Sequence, residues 1–207
     1  MTYACFDTSK LDLDCIATEL YDLTKPGCIA VNDFIFLDFR QALWAEVKNG
    51  PFSKQQNVYK NAEQDLSIFF VDPKQNPYTH LALLHALYQH AYYTLAKKAG
   101  FQEKTRSRIA VHKYDQGSIG ITPHKDERKY LNMISIFILA GKAPFSLYKS
   151  RQEKIGELDA QPGSLILLRA PRSKTEDGRP MHSIGPVLEE RYSICFRELL
   201  DQELEHI

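Results

Sequence analysis

The sequence predicts a mainly β chain with flanking helices (α+β): a double-stranded β-helix, or jelly-roll, core with N-terminal helices packed on one of its sheets. Three observations carry this expectation. From Arg108 onward, short runs of β-type residues alternate with turn residues at close spacing. Ahead of that stretch, apolar residues recur at helical spacing, most clearly between Pro77 and Lys98. The chain has 207 residues, 43% hydrophobic and 25% charged, which suits one sizeable core and argues against wholesale disorder.

In chain order, Leu11–Leu23 reads as an amphipathic helix ending ahead of Pro26-Gly27, and Cys28–Phe36 as β-prone. Phe39–Lys48 reads as a short helix closed by Asn49-Gly50-Pro51. Residues 51–77 are polar and loop-like apart from Leu66–Val71, and are one candidate substrate lid. The helix from Pro77 to Lys98 places Leu81, Leu84, Leu87, Tyr88, Ala91 and Leu95 on one face, with Gly100 as its stop. His80, His85 and His90 lie five apart along it, so each is turned about 140° from the last and they do not share one metal. Candidate strands follow at 108–114, 118–122, 131–139, 144–149, 154–158, 164–169, 181–184 and 190–197. Ala170–Pro180 is charged and polar, an expected exposed loop and a second candidate lid. The whole chain, 1–207, is read as a single domain, with 1–107 a mixed N-terminal extension and 108–198 the catalytic core.

Several classes are excluded or disfavoured. No apolar run reaches the roughly 18 residues of a membrane helix, and Met1–Lys10 lacks the pattern of a signal peptide. Cys5, Cys15, Cys28 and Cys195 show neither CxxC pairing nor zinc-finger spacing, so reduced thiols and a cytoplasmic location are expected. No protein partner is readable. Net charge is zero but uneven: residues 96–180 hold 17 Lys+Arg against 9 Asp+Glu, and the remainder 9 against 17. A positive middle attracts anionic ligands or a nucleic acid backbone, unless the acidic ends fold over it.

The chemistry-bearing pattern is Thr122-Pro-His124-Lys-Asp126-Glu127. On extended chain, residues two apart point the same way, so this imidazole and carboxylate can reach one ion. His182, 58 residues on in another predicted strand, is the candidate third ligand. Two histidines and a carboxylate on one face of an octahedral metal leave three positions open, as in non-haem iron(II) oxygenases. In Arg191-Tyr-Ser193-Ile-Cys195-Phe-Arg197, strand alternation puts two arginines, a serine and a thiol on one face, and Tyr192, Ile194 and Phe196 on the other. Such a polar face makes sense beside a dicarboxylate, which a guanidinium fork binds bidentately.

Taken together, His124-x-Asp126, His182, Arg191 nine residues later and Arg197 six beyond that resemble the Fe(II)/2-oxoglutarate-dependent dioxygenase superfamily, most of all its AlkB-like branch. Tyr114 matches the tyrosine of an Asn-x-Tyr element in that branch, with His112 standing in place of the asparagine. The resemblance covers 108–198. It implies a jelly roll holding Fe(II) through His124, Asp126 and His182, with 2-oxoglutarate and O2 as cosubstrates. It further implies Arg191 and Tyr114 on the distal carboxylate of 2-oxoglutarate, Arg197 near the C1 carboxylate, and Ser193 as an added hydrogen bond. The implied reaction couples oxidative decarboxylation to succinate and CO2 with hydroxylation of a substrate C–H bond. His112 and Arg128 are the candidate substrate contacts. Arg128 replaces the acidic residue that reads the damaged base in the bacterial repair enzyme, which weakens the demethylase reading.

The substrate is read as a small molecule, anionic if Arg128 faces the pocket, with an alkylated nucleobase of DNA or RNA as the alternative. Favouring nucleic acid are Lys97, Lys98, Lys104, Arg106 and Arg108, with Phe52, Tyr59 and Phe69 as stacking candidates. A zinc-dependent hydrolase is a second alternative, since two histidines, a carboxylate and a water also describe catalytic zinc. A jelly-roll binding module without catalysis is a third, and the intact ligand set argues against it.

Overall fold

A computed structural model describes residues 5–99, 105–171 and 177–200. After a single 3-10 turn at Thr8–Lys10, helix α1 (Leu13–Tyr21) begins at Asp12, whose carboxylate accepts from the backbone N–H of Asp14 and Cys15 and so caps the orphan donors. It buries Ile16 and Leu20. Strand β1 (Cys28–Val31) is shorter than the expected β-prone stretch; Asp33 adopts a left-handed φ of 50° and ends the run. Helix α2 (Leu37–Val47) buries Phe39, Leu43 and Val47, one residue per turn.

Residues 51–77 are not a loop, which corrects the sequence expectation. They contain a hairpin of β2 (Ser53–Tyr59) and β3 (Ala62–Val71), closed by Lys60 and Asn61 with φ of 48° and 66°. Two consecutive left-handed residues match the twist of a two-residue hairpin turn. The misreading has a plain cause: β2 lies at the sheet edge with its side chains largely in solvent, so it carries no apolar alternation.

Helix α3 (Thr79–Ala99) buries Leu81, Leu84, Tyr88, Tyr92, Leu95 and Ala96. Its stripe therefore runs through Tyr92 and Ala96; Leu87, 37% exposed, and Ala91 lie on its flank, contrary to expectation. The three histidines are separated as expected: His80 pairs with Glu46 at 2.6 Å, His85 stacks on Phe196, and His90 is exposed.

The remaining strands are β4 (Thr105–Tyr114), β5 (Gly120–His124), β6 (Leu131–Lys142), β7 (Phe145–Ser150), β8 (Glu153–Leu158), β9 (Leu165–Arg169), β10 (Met181–Ile184) and β11 (Glu189–Leu200). All eight expected strands are present, within a few residues of the expected ends. Pairing is antiparallel throughout, in the order β1-β9-β6-β11-β4-β3-β5-β10-β7-β8, with β2 on the outer side of β3. The sheet folds over at the β3–β5 contact, where Gln64 faces Ile121, so that two layers enclose an interior.

Strand β6 shows how one sequence serves two cores. Met133, Phe137 and Leu139 face the helices, while Ile134, Ile136 and Ile138 face the barrel interior with Tyr114, Phe145 and Ile184. The expectation of N-terminal helices on one sheet is met. Of the second candidate lid, 172–176 lies outside the described residues. Its flanks are not fully exposed: Ala170 and Pro171 are buried and Arg179 is largely covered.

Candidate functional site

Strands β5 and β10 run antiparallel with His182 directly opposite His124. Gly120 permits this approach: at φ +72° it lies so close to the Ile184 carbonyl that a side chain would overlap it. Asp126 follows two residues past His124, just beyond the strand end. One ligand atom from each of His124, Asp126 and His182 lies within 4.8 Å of the others. His182 Nε2 is 3.5 Å from Asp126 Oδ2, and the two imidazole centroids are 4.5 Å apart. Ligands bound cis at about 2.1 Å sit about 3 Å from one another, so the observed set is close to metal-bound spacing.

The ring orientations support the same chemistry. His124 Nδ1 is 2.9 Å from the Thr122 carbonyl and His182 Nδ1 is 3.3 Å from the Pro180 carbonyl. An Nδ1–H donated to each carbonyl leaves the Nε2 lone pair free for an ion. The His182 ring also stacks on Phe145 at 5.1 Å and 7°, which fixes its plane. Burial, with the neighbouring His124, brings His182 down to about 4, so it stays neutral and able to accept. For Asp126, burial pushes the carboxyl up, but Arg197 and the surrounding histidines outweigh it and hold it below its ordinary value.

The polar face of β11 turns inward, as its alternation predicts. Arg191 is 2% exposed, its Nη1 lies 3.3 Å from Ser193 Oγ, and its guanidinium sits over the Tyr114 ring at 5.4 Å. Among the described residues no carboxylate forms an ion pair with Arg191; burial lowers its pKa, and Tyr114 and Cys195 are the groups that oppose this. A buried guanidinium without a counter-ion carries a desolvation penalty of several kcal/mol, which a bound anion would offset. Arg197 is positioned differently: its Nε is 3.6 Å from Asp126 Oδ1, has no hydrogen bond, and its guanidinium lies over the Tyr130 ring.

His112 stands opposite Ser193 on β4, 5% exposed. Its Nδ1 is 3.4 Å from the Tyr114 hydroxyl and 3.7 Å from Cys195 Sγ, while Nε2 has no partner. Burial, then Arg197 and Arg191, holds it well below the usual histidine range.

Part of this set borders a cavity of about 650 Å³. His112, His124, Asp126, Arg128 and Arg197 line it, and its floor is the face of the β2–β3 hairpin. His182, Arg191, Ser193 and Tyr114 lie behind that wall in the closed interior. Arg128 sits at the mouth, paired with Asp177 at 2.9 Å. Of the stacking candidates, Tyr59 borders the cavity, whereas Phe52 and Phe69 pack edge-to-face on each other in the core.

Several site residues escaped the sequence reading. Arg179 donates to the backbone carbonyl of Asp126 and to Asp177, pinning the segment that carries the carboxylate. Tyr130 and Arg151 line the cavity from the β5–β6 and β7–β8 connections. The Lys60-Asn61 turn was the one local signal that could have revealed the hairpin floor.

No family model matches the sequence, and no curated protein matches it. Solved structures do. A prolyl hydroxylase from Trichoplax adhaerens, solved in complex with a hypoxia inducible factor peptide fragment, is 18% identical with a TM-score of 0.70, covering 92% of this chain and 91% of that one. A Pseudomonas putida prolyl-4-hydroxylase is 16% identical with a TM-score of 0.63, over 89% of this chain and 98% of that one. An oxidoreductase of the 2OG-Fe(II) oxygenase family from Burkholderia pseudomallei is 12% identical with a TM-score of 0.63, over 95% and 93%. None of these comparisons singles out the AlkB-like branch. The chain therefore has the jelly-roll fold seen in prolyl hydroxylases and 2OG-Fe(II) oxygenases, and its His124, Asp126 and His182 converge at the mouth of that fold.

Proposed function

We propose that this protein is an Fe(II)/2-oxoglutarate-dependent dioxygenase. The observation that carries the reading is the convergence of His124, Asp126 and His182 beside a buried arginine, Arg191, that pairs with no carboxylate among the described residues. The metal-ligand set argues against a binding protein without chemistry, and the buried arginine fits a zinc hydrolase poorly unless the substrate is a carboxylate.

His124 and His182 would hold the iron through Nε2 and Asp126 through its carboxylate. When bound, iron and 2-oxoglutarate supply dioxygen activation, with decarboxylation to succinate and CO2 and hydroxylation of a substrate C–H bond. The chain supplies the geometry around them. Arg191, braced by Ser193 and by the Tyr114 ring, receives the distal carboxylate of 2-oxoglutarate deep in the barrel, where water is excluded. Tyr114, its hydroxyl pushed to high pKa by burial, keeps its proton and can donate a hydrogen bond to that carboxylate. Arg197, next to Asp126, orients the ligand carboxylate and offers charge to the C1 end of the cosubstrate. His112, neutral and with Nε2 unpartnered, faces the cavity as a hydrogen-bonding group at the substrate end.

The substrate enters over the hairpin. Arg128 does line that entrance, where it is paired with Asp177; the substrate we favour is a small molecule, with an alkylated nucleic acid as the alternative. Incubating the iron-loaded protein with 2-oxoglutarate and measuring succinate tests the reaction: iron-dependent succinate release that is absent in Asp126→Ala is expected, and no iron-dependent turnover would contradict it.

A further inference from the structure

One end of the cavity is built from three segments tied together over the tip of the β2–β3 hairpin. From the β7–β8 turn, Arg151 donates to the backbone carbonyls of Lys60 and Asn61. From the tip itself, the Lys60 ammonium reaches Glu127 Oε2 at 3.1 Å, just past the pair His124 and Asp126. At the start of β3, the Glu63 N–H donates to Thr122 Oγ1 at 2.9 Å. These bonds close the hairpin end of the cavity, and a polymer lying along the hairpin would have to cross them. A space of about 650 Å³ closed at one end suits a molecule of metabolite size.

Charge at this end is unbalanced. Lys60, Lys125, Arg128, Arg151 and Arg179 line the cavity, and the carboxylates that pair with them among the described residues are Glu127 and Asp177. Glu127 is shared between Lys60 and Lys129, at 3.1 and 3.4 Å, and Asp177 between Arg179 and Arg128, at 2.8 and 2.9 Å. Among the described residues, no carboxylate pairs with Lys125 or Arg151. Arg151 is the more telling of the two. Two carbonyls fix its guanidinium without answering its charge, and further N–H donors of the fork are left for a ligand.

The two cations narrow the ligand class. A carboxylate brings one charge and is matched by one guanidinium fork. Two unanswered cations on separate segments, one after β5 and one after β7, match a dianion with several terminal oxygens. A phosphate monoester is such a group, with a charge of about −1.5 to −2 near neutral pH. Nucleic acid fits less well, because each of its backbone phosphates carries a single charge. The rings on which bases would stack also already carry cations, Lys60 over Tyr59 and Arg108 over Phe70.

We infer that the small-molecule substrate carries a phosphate monoester, bound at the hairpin end of the cavity against Lys125 and Arg151. This rests on the cavity leading to the reacting centre proposed above, but its test does not depend on turnover. Binding of phenyl phosphate to the full-length protein is measured by calorimetry, beside benzoate and benzyl alcohol, with 2-oxoglutarate present and absent. Phenyl phosphate should bind about tenfold or more tightly than either, with an affinity that falls as salt is raised. Arg151→Glu and Lys125→Glu should each weaken it about tenfold, whereas Arg151→Lys, which keeps the charge, should stay within about threefold of the wild type. Lys149→Glu, nearby on β7 but outside the cavity lining, is the surface-charge control and should change nothing. Equal affinity for benzoate, or a phosphate affinity indifferent to both charge reversals, overturns the inference. So does complete displacement of phenyl phosphate by 2-oxoglutarate, which would put the probe in the cosubstrate pocket. Tighter Arg151-dependent binding of an acidic peptide or a single-stranded oligonucleotide overturns it as well. Phosphate-selective binding in a protein that releases no iron-dependent succinate would sink the oxygenase reading and leave the phosphate site standing.

Discussion

Two charged residues stand side by side on β11, Glu198 buried and Arg197 largely covered, and could hardly be treated more differently. Glu198 faces the helices, where its carboxylate accepts from the Tyr88 and Ser107 hydroxyls on Oε1 at 3.1 and 2.7 Å and from Thr105 on Oε2 at 2.9 Å. Arg197 faces the cavity, where its Nε has no hydrogen bond and its nearest carboxylate is 3.6 Å away. The first is a finished structural network; the second is an unfinished one. The same contrast divides the strand's two faces, Tyr192, Ile194 and Phe196 closing an aromatic core while Arg191, Ser193 and Cys195 line the barrel interior. On β11, the buried polar atom left without a partner, Arg197 Nε, lies on the cavity side.

The largest expected effect comes from the cavity side. Asp126→Ala should lower iron-dependent succinate formation by about a thousandfold or more, equivalent to about 4 kcal/mol of transition-state stabilisation, with the far-UV spectrum unchanged. Retention of full turnover would separate Asp126 from the metal. On the helix side, Phe196→Ala should reduce unfolding free energy by about 3–5 kcal/mol, because the ring is fully buried and stacks on Tyr88 at 4.5 Å. Denaturant titration measures this, and the folded fraction should keep its metal affinity; loss of metal binding at unchanged stability would erase the division between the faces.

Arg191→Lys should raise the 2-oxoglutarate KM by about 10- to 100-fold with a smaller change in kcat, since a point charge replaces a bidentate fork. Equal kinetics for the two would remove Arg191 from the cosubstrate site. The smallest effect is reserved for Glu198→Gln. Burial raises the Glu198 pKa above 4.5, against the opposing pull of its three hydroxyl partners. A carboxyl with a raised folded pKa contributes stability at low pH that is lost as pH rises through that value. Glu198→Gln should therefore match the wild type in acid and exceed it toward neutral pH, read from thermal unfolding at a series of pH values. A variant that is less stable at every pH would show that the charged carboxylate, rather than the neutral acid, completes the network.

Much of this division could be read before any coordinates. Strict alternation in Arg191–Arg197 separated the two faces, because a strand has a period of two and its neighbours on both sides confirm it. His124 and Asp126 were legible as a local pair, and the β punctuation after Arg108 located the strand that brings His182 to them. The hairpin floor was not legible, since an exposed edge strand such as Ser53–Tyr59 has no apolar period to detect. Nor were Tyr130, Arg151 and Arg179, each brought to the cavity by a connection between strands, where position depends on long-range closure rather than on nearby sequence. Glu198 gave no warning either: its three hydroxyl partners are 91 to 110 residues away in the chain.

The central claim is that three side chains form one divalent metal site to which 2-oxoglutarate binding is coupled. Calorimetric titration of the metal-free protein with cobalt(II), with and without 2-oxoglutarate, tests it most directly, alongside the same titration of His182→Ala. The account predicts one ion per chain in the wild type, 2-oxoglutarate binding that requires the ion, and loss of both in the variant. Stoichiometric cobalt binding that survives His182→Ala, or 2-oxoglutarate binding indifferent to metal, would contradict it.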